Sequence, residues 1–185
     1  MIRDDQSSAQ VTLVLGGAAS GKSRYAQVLA EARSGSLLYV ATARADDDEM
    51  SQRIARHRQA RDDRWQTLEE PQDLAGQLPG ASKGHAVVLI DCVTLWLTNL
   101  LLANQEDPAR VRPAVNAFVA SLDHIETDVI MVSNEVGLSL VPEYPLGRLF
   151  RDLAGQVNQQ LAERADQVWL VTAGLPMQLK PGRRN

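Results

Sequence analysis

The sequence has little that would tie the chain to a membrane, a disulfide scaffold or a nucleic acid. Its one cysteine, Cys92, can form no internal disulfide and has no companions for a zinc site, so it reads as a buried apolar thiol. No uncharged apolar run approaches the roughly 20 residues of a membrane span. The most apolar stretch, residues 86–90, is too short for a secretory core, and the opening Met-Ile-Arg-Asp-Asp-Gln-Ser-Ser has no apolar signal, so a cytoplasmic location is expected. A net charge of −4 argues against nucleic acid and for small-molecule partners.

The composition is that of an ordinary globular protein: 185 residues, 44% hydrophobic and 23% charged, enough for a single sizeable core. No repeat with a period of about 20 to 50 residues occurs. Residues 1–10 are polar and aperiodic, a frayed extension, and the fold is expected to start at Val11. Runs at 11–15, 37–41, 87–90, 129–132 and 168–171 are short and almost wholly apolar, which suits parallel strands buried on both faces. Between them, helices are expected at 22–32, 47–61, 71–78, 94–103, 108–125 and 146–164. This alternation predicts an α/β domain of three layers over residues 11–180 with a mostly parallel sheet, whose ligands gather at the carboxyl ends of the strands. Residues 79–84 read as a surface loop and 180–185 as a mobile tail.

The strongest motif follows the first strand. Gly16, Gly17, Ala18, Ala19, Ser20, Gly21, Lys22 and Ser23 form a complete phosphate-binding loop, GGAASGKS, directly before a helix. Its glycines let backbone N–H groups converge on a polyphosphate, and the helix adds its positive N-terminal end. Lys22 should reach the β- and γ-phosphates, and the Ser23 hydroxyl should ligate Mg²⁺. Asp91 directly follows the third apolar run, 87–90, in the place of a second, direct or water-mediated, Mg²⁺ ligand; the other role open to it is capping the helix that follows.

A second feature is one histidine among arginines. Arg53, His57 and Arg61 share a helical face, with Arg56 and Arg58 flanking His57. Positive neighbours disfavour imidazolium and keep a neutral, nucleophilic ring at about pH 7, and guanidiniums can hold phosphate oxygens. Attack on an α-phosphate needs that pairing. Spacing alone leaves a solvated cationic face open, and favours it.

With these motifs in place, the chain resembles the adenosylcobinamide kinase/adenosylcobinamide-phosphate guanylyltransferase family of cobalamin biosynthesis. The matching blocks run in order: GGAASGKSRYA (16–26), YVATA (39–43), DDEMSQRIARHRQAR (47–61), W-x-T-x-E (65–69), LIDCVTLWLTNLL (89–101), SNEVGLSLVPEYPLGRLFRDLAGQVNQQLA (133–162) and ADQVWLVTAGLPMQLK (165–180). The resemblance implies a RecA-like P-loop fold, homotrimers with sites between subunits, and two reactions. ATP or GTP would phosphorylate the aminopropanol hydroxyl of adenosylcobinamide. GMP would then pass from GTP, through a histidine-bound intermediate on His57, to that phosphate, giving adenosylcobinamide-GDP.

The same resemblance makes Thr42, Ala43, Arg58, Gln59, Ala60, Arg61, Glu69 and Asp91 nucleotide contacts beside the loop. Two departures stand out. Ala19 replaces the arginine usual in the family's loop, removing one charge near the phosphates. Arg56-His57 stands where relatives can carry paired histidines. His85 and His124 fall outside the matching blocks and read as surface residues. The block Ser133-Asn134-Glu135-Val136-Gly137 should face the same ligand edge. The competing readings are a P-loop metabolite kinase without nucleotidyl transfer and a nucleotide-dependent switch. The absence of an Asn-Lys-x-Asp guanine-reading element counts against the switch.

Overall fold

The computed structural model describes residues 9–43 and 61–182. Five apolar runs become interior strands, as their lack of a polar face requires: β1 (Val11–Gly16), β2 (Leu37–Ala41), β4 (Val87–Asp91), β5 (Asp128–Asn134) and β6 (Gln167–Thr172). Two further strands, β3 (Trp65–Glu69) and β7 (Leu175–Lys180), lie outside the expected runs. Among the described residues they complete a seven-stranded sheet of order β3-β2-β4-β5-β1-β6-β7, parallel except for the β6–β7 pair. Both are edge strands. An edge strand pairs on one side only, so β3 tolerates Gln66 and Glu69, β7 tolerates Pro176, and neither shows an unbroken apolar run.

The described helices are α1 (Lys22–Glu31), α2 (Leu74–Ala81), α3 (Val93–Ala103), α4 (Pro108–Ser121) and α5 (Pro145–Arg164). One core packs Leu74 and Leu78, Trp96 and Leu97, Phe118, and Val157 and Leu161 from α2–α5 against one sheet face. On the other face Ala26 and Ala30 of α1 meet Val14, Tyr39, Leu89 and Val132. The three-layer architecture expected from the alternation of strands and helices is therefore present. The helix expected at 47–61 lies outside the described residues, apart from Arg61. None of the described helices is long and apolar enough to cross a membrane.

Boundaries shift for local reasons. The α2 helix begins later than expected because Asp73 caps it, accepting from Gly76 N at 3.0 Å. Pro79 then continues the helix for its last turn rather than opening a loop, and Ser82 is buried. The helix expected to reach Ile125 tightens into a 3₁₀ turn at Leu122–His124. Pairing starts one residue before Val11, since the Gln10 carbonyl accepts from Val129 N at 2.9 Å. Lys180 is not part of a mobile tail. Its ammonium donates to the carbonyls of Ala162 and Glu163 at 3.1 and 3.0 Å, and to that of Ala165, compensating the carbonyl end of α5. His124 is exposed, and half-buried His85 hydrogen-bonds Ser36 through Nδ1 at 3.0 Å.

Candidate functional site

Strand order brings separated motifs to one edge. Gly16 pairs with Asn134 and Val171, Ala41 with Asp91 and Glu69, and Asp91 with Val132. The phosphate loop, the end of β2, Glu69, Asp91 and the Ser133–Gly137 block thus line the carboxyl edge. Glu135 N donates to the Gly16 carbonyl at 3.0 Å, tying that block to the loop itself. The remainder of the block is largely structural. Ser133 Oγ donates to Asn158 Oδ1 at 2.7 Å, Asn158 Nδ2 to the Asn134 carbonyl at 3.1 Å, and Asn134 N to Thr94 Oγ1 at 2.7 Å.

Each turn of the loop has a steric cause. A Cβ at Gly16 would lie 2.5 Å from Ser20 Oγ and 2.6 Å from the Val171 carbonyl oxygen, whereas one at Gly17 would meet nothing within 4 Å. Gly21 is left-handed, with φ of 93°. Ala19 is left-handed too, with φ of 55°, and its side chain is exposed, so the arginine missing here is a charge missing from the rim of the loop. The α1 helix starts after Gly21 with no side-chain cap and no acid in its first turn. Its leading N–H groups and positive end are therefore directed at the loop, the arrangement that attracts phosphate. Lys22 is buried, and its ammonium donates to the Gly17 carbonyl at 3.0 Å, across the loop's curve.

We expect Gly16→Ala to destabilise the fold by about 2 kcal/mol, the range for forcing a methyl into packed backbone, and to weaken nucleotide binding by about tenfold or more. Gly17→Ala is expected to stay within about 0.5 kcal/mol of the parent. Thermal melts and titration with a fluorescent GTP analogue compare the two. Equal effects at both positions would contradict the loop geometry.

Asp91 does not cap the helix after it. The α3 helix takes Cys92 as its N-cap, without a side-chain cap bond. The Asp91 carboxylate instead accepts from Ser23 Oγ on Oδ1 at 3.4 Å and from the Tyr39 hydroxyl on Oδ2 at 3.2 Å. Two hard oxygens, Ser23 Oγ and Asp91 Oδ1, therefore lie side by side at the phosphate loop, a donor set that fits Mg²⁺. Thr42 is wholly buried; its Oγ1 accepts from Cys92 N and donates to the Cys92 carbonyl, both at 2.8 Å, locking the end of β2 to the end of β4. Cys92 behaves as the buried thiol expected, its pKa pushed up to about 11 by burial first and by the neighbouring Asp91 second.

Arg61 lays its guanidinium over the Tyr39 ring, 3.4 Å from the centroid, and donates to Thr67 Oγ1 at 3.3 Å. Glu69 is exposed at the end of β3, and Ala43 is half-buried just past β2. His57, Arg58, Gln59 and Ala60 lie outside the described residues. Sequence reasoning missed Tyr39, which it absorbed into an apolar strand; the sole hint was a phenol in an otherwise aliphatic run.

A parallel sheet with an uncapped helix behind a glycine-lysine-serine loop defines a P-loop nucleotide-binding α/β enzyme domain. The architecture is RecA-like: the crystal structure of the RadB recombinase superposes with a TM-score of 0.52 at 17% identity, covering 88% of this chain and 74% of that one, a likeness of fold alone. The chain belongs to the cobinamide kinase/cobinamide phosphate guanyltransferase family, whose model matches residues 12–179. It is 47% identical over 168 residues to the bifunctional adenosylcobalamin biosynthesis protein CobP of Pseudomonas aeruginosa, covering 91% of this chain and 96% of that protein. The bifunctional adenosylcobalamin biosynthesis protein CobU of Escherichia coli is 44% identical and that of Salmonella typhimurium 38%, each over 179 residues covering 91% of this chain and 98% of the relative.

Proposed function

We propose that this chain phosphorylates adenosylcobinamide with ATP or GTP and then transfers GMP from GTP to the new phosphate, giving adenosylcobinamide-GDP. Membership of the family carries this reading, and the intact loop with Ser23 against Asp91 supports the phosphoryl half. Lys22 and the loop N–H groups hold the β- and γ-phosphates while the substrate hydroxyl attacks the γ-phosphorus; the bond from that phosphorus to the β,γ-bridging oxygen breaks, the nucleoside diphosphate leaves, and the hydroxyl gives up its proton. Ser23 and Asp91 would hold Mg²⁺, which when bound neutralises charge on the phosphate oxygens. In the second reaction an imidazole nitrogen of His57 forms a bond to the α-phosphorus of GTP and pyrophosphate leaves. An oxygen of the substrate phosphate then attacks that phosphorus, the N–P bond breaks, and the imidazole is returned. Thr42, Ala43, Arg58, Gln59, Ala60, Arg61 and Glu69 line the nucleotide, Thr42 from beneath, because its hydroxyl is bonded to Cys92, its N–H to the Asp91 carbonyl and its carbonyl to Asn99.

Incubation with GTP labelled at the α-phosphate tests the transferase half: the protein is expected to take up an acid-labile, base-stable label, the signature of a phosphoramidate. A protein that phosphorylates adenosylcobinamide but never takes up label would be a metabolite kinase only.

The working form in this reading is a cytoplasmic homotrimer. Exposed apolar side chains support assembly: Leu175, Met177 and Leu179 along the β7 edge, and Leu138, Leu140 and Tyr144 in the loop before α5. Light scattering is expected to give three times the 20.3 kDa chain mass, and Met177→Asp or Leu140→Asp to lower it. A monomer in the parent protein would refute the assembly.

A further inference from the structure

Tyr39 occupies a position that none of the motifs explains. It is the third residue of β2, in a strand that otherwise reads Leu-Leu-Val-Ala, and it is buried beneath the ligand edge. A phenylalanine would fill the same volume, so the hydroxyl needs its own account. A buried hydroxyl must find a partner, and this one donates to Asp91 Oδ2 at 3.2 Å. Tyr39 pairs with Leu89 in the ladder, so its long side chain reaches forward two residues on the same face to arrive there. Ser23 takes the other carboxylate oxygen, and bonds at both oxygens fix the plane of the Asp91 carboxylate beside the loop. Burial, and after it the charge of Asp91, raises the Tyr39 pKa, with Arg61 opposing, so the phenol remains a donor throughout the physiological range.

The ring has a second task. Its face carries the Arg61 guanidinium at 3.4 Å, and its edge meets Trp65 at 6.3 Å with an interplanar angle of 78°. Trp65 is anchored in turn, donating through Nε1 to Glu31 of α1 at 3.3 Å. The chain leaves the sheet at Thr42, which is locked to Cys92, and comes back to it with Arg61 on Tyr39. Both ends of the stretch that contains His57 are therefore attached at β2.

We propose that Tyr39 is a positioning residue for both reactions: its hydroxyl orients Asp91 at the phosphate loop, and its ring seats Arg61, four residues beyond His57. The assignment of the two reactions rests on the function proposed above; the two contacts do not. Because one contact uses only the hydroxyl and the other only the ring, conservative and non-conservative substitutions separate them.

Tyr39→Phe keeps the ring and loses the hydroxyl. Calorimetric binding of a non-hydrolysable ATP analogue is expected to need about fivefold more Mg²⁺ for half-saturation, while labelling by α-labelled GTP at saturating Mg²⁺ stays within about twofold of the parent. Tyr39→Leu loses both contacts. It is expected to show the same Mg²⁺ shift, with labelling slowed about tenfold, so recovery of labelling in Tyr39→Phe is the mark of the ring contact. Amide hydrogen exchange in the peptide holding Arg61 should be faster in Tyr39→Leu than in Tyr39→Phe, reading the seat without any chemistry. If Tyr39→Leu does not fold, Tyr39→Met, which fills the gap with an unbranched chain, replaces it. An unchanged Mg²⁺ requirement in Tyr39→Phe overturns the role at Asp91. Equal exchange at Arg61 in the two variants overturns the seat. If the parent takes no label, the guanylyl reading fails, while the Mg²⁺ and exchange measurements still decide both contacts.

Discussion

Lys22→Ala is expected to lower turnover of adenosylcobinamide phosphorylation by about a thousandfold, with nucleotide binding also weakened. The cause is electrostatic. Lys22 is 6% exposed and its ammonium lies inside the loop, 3.0 Å from the Gly17 carbonyl, where little water is left to stand in for it. A fixed charge in such a water-poor site stabilises phosphate oxygens far more than one in solvent, and losing a single such donor typically costs about 10²- to 10³-fold in rate. The fold should survive, because Lys22 opens α1 and alanine is the best helix former. Lys22→Arg is expected to recover little, since a planar fork does not fit where a compact ammonium crosses the loop. Steady-state kinase assays with a thermal melt on each variant decide the matter. Full kinase activity in Lys22→Ala would show that the phosphates lie elsewhere.

The second large effect belongs to His57→Ala. Label from α-labelled GTP is expected to vanish completely, because no other nitrogen is assigned to form the N–P bond, and adenosylcobinamide-GDP should fall below detection. Phosphorylation of adenosylcobinamide should continue within about threefold, since in the proposed scheme that reaction uses the loop, Ser23 and Asp91 rather than an imidazole. The adjacent Arg56→His tests the register: if label returned in an Arg56→His, His57→Ala double variant, the nucleophile's place would be set by the arginines around it rather than by position 57 itself. Persistent label in His57→Ala alone would remove His57 from the reaction.

The two reactions were unequally legible in the sequence, and the reason is physical. A phosphate loop is eight consecutive residues whose backbone does the binding, so its chemistry is written locally. Asp91 was visible because it ends an apolar strand, but whether it capped α3 or faced Ser23 depended on how far apart β4 and α1 stand in the folded chain. Thr42 shows the opposite case. Its place in a matching block suggested a ligand contact, yet its hydroxyl closes a bridge to Cys92 that no local pattern announces. Lys180 likewise read as the start of a loose tail and instead neutralises the end of α5.

What the sequence determined by itself was whatever depends on neighbours along the chain: the interior strands, whose two buried faces demand unbroken apolar runs, the uncapped helix behind the glycines, and the loop between them. What only the tertiary structure decided was whatever depends on strand order. The edge strands β3 and β7, the meeting of Ser23 with Asp91, and the seat of Arg61 on Tyr39 all arise from which strands become neighbours, and the Tyr39–Asp91 bond arises because β2 and β4 pair side by side. Hydrogen bonds between strands are set by which strands become neighbours, and residues 52 positions apart, such as Tyr39 and Asp91, carry no mark of that in their own local patterns.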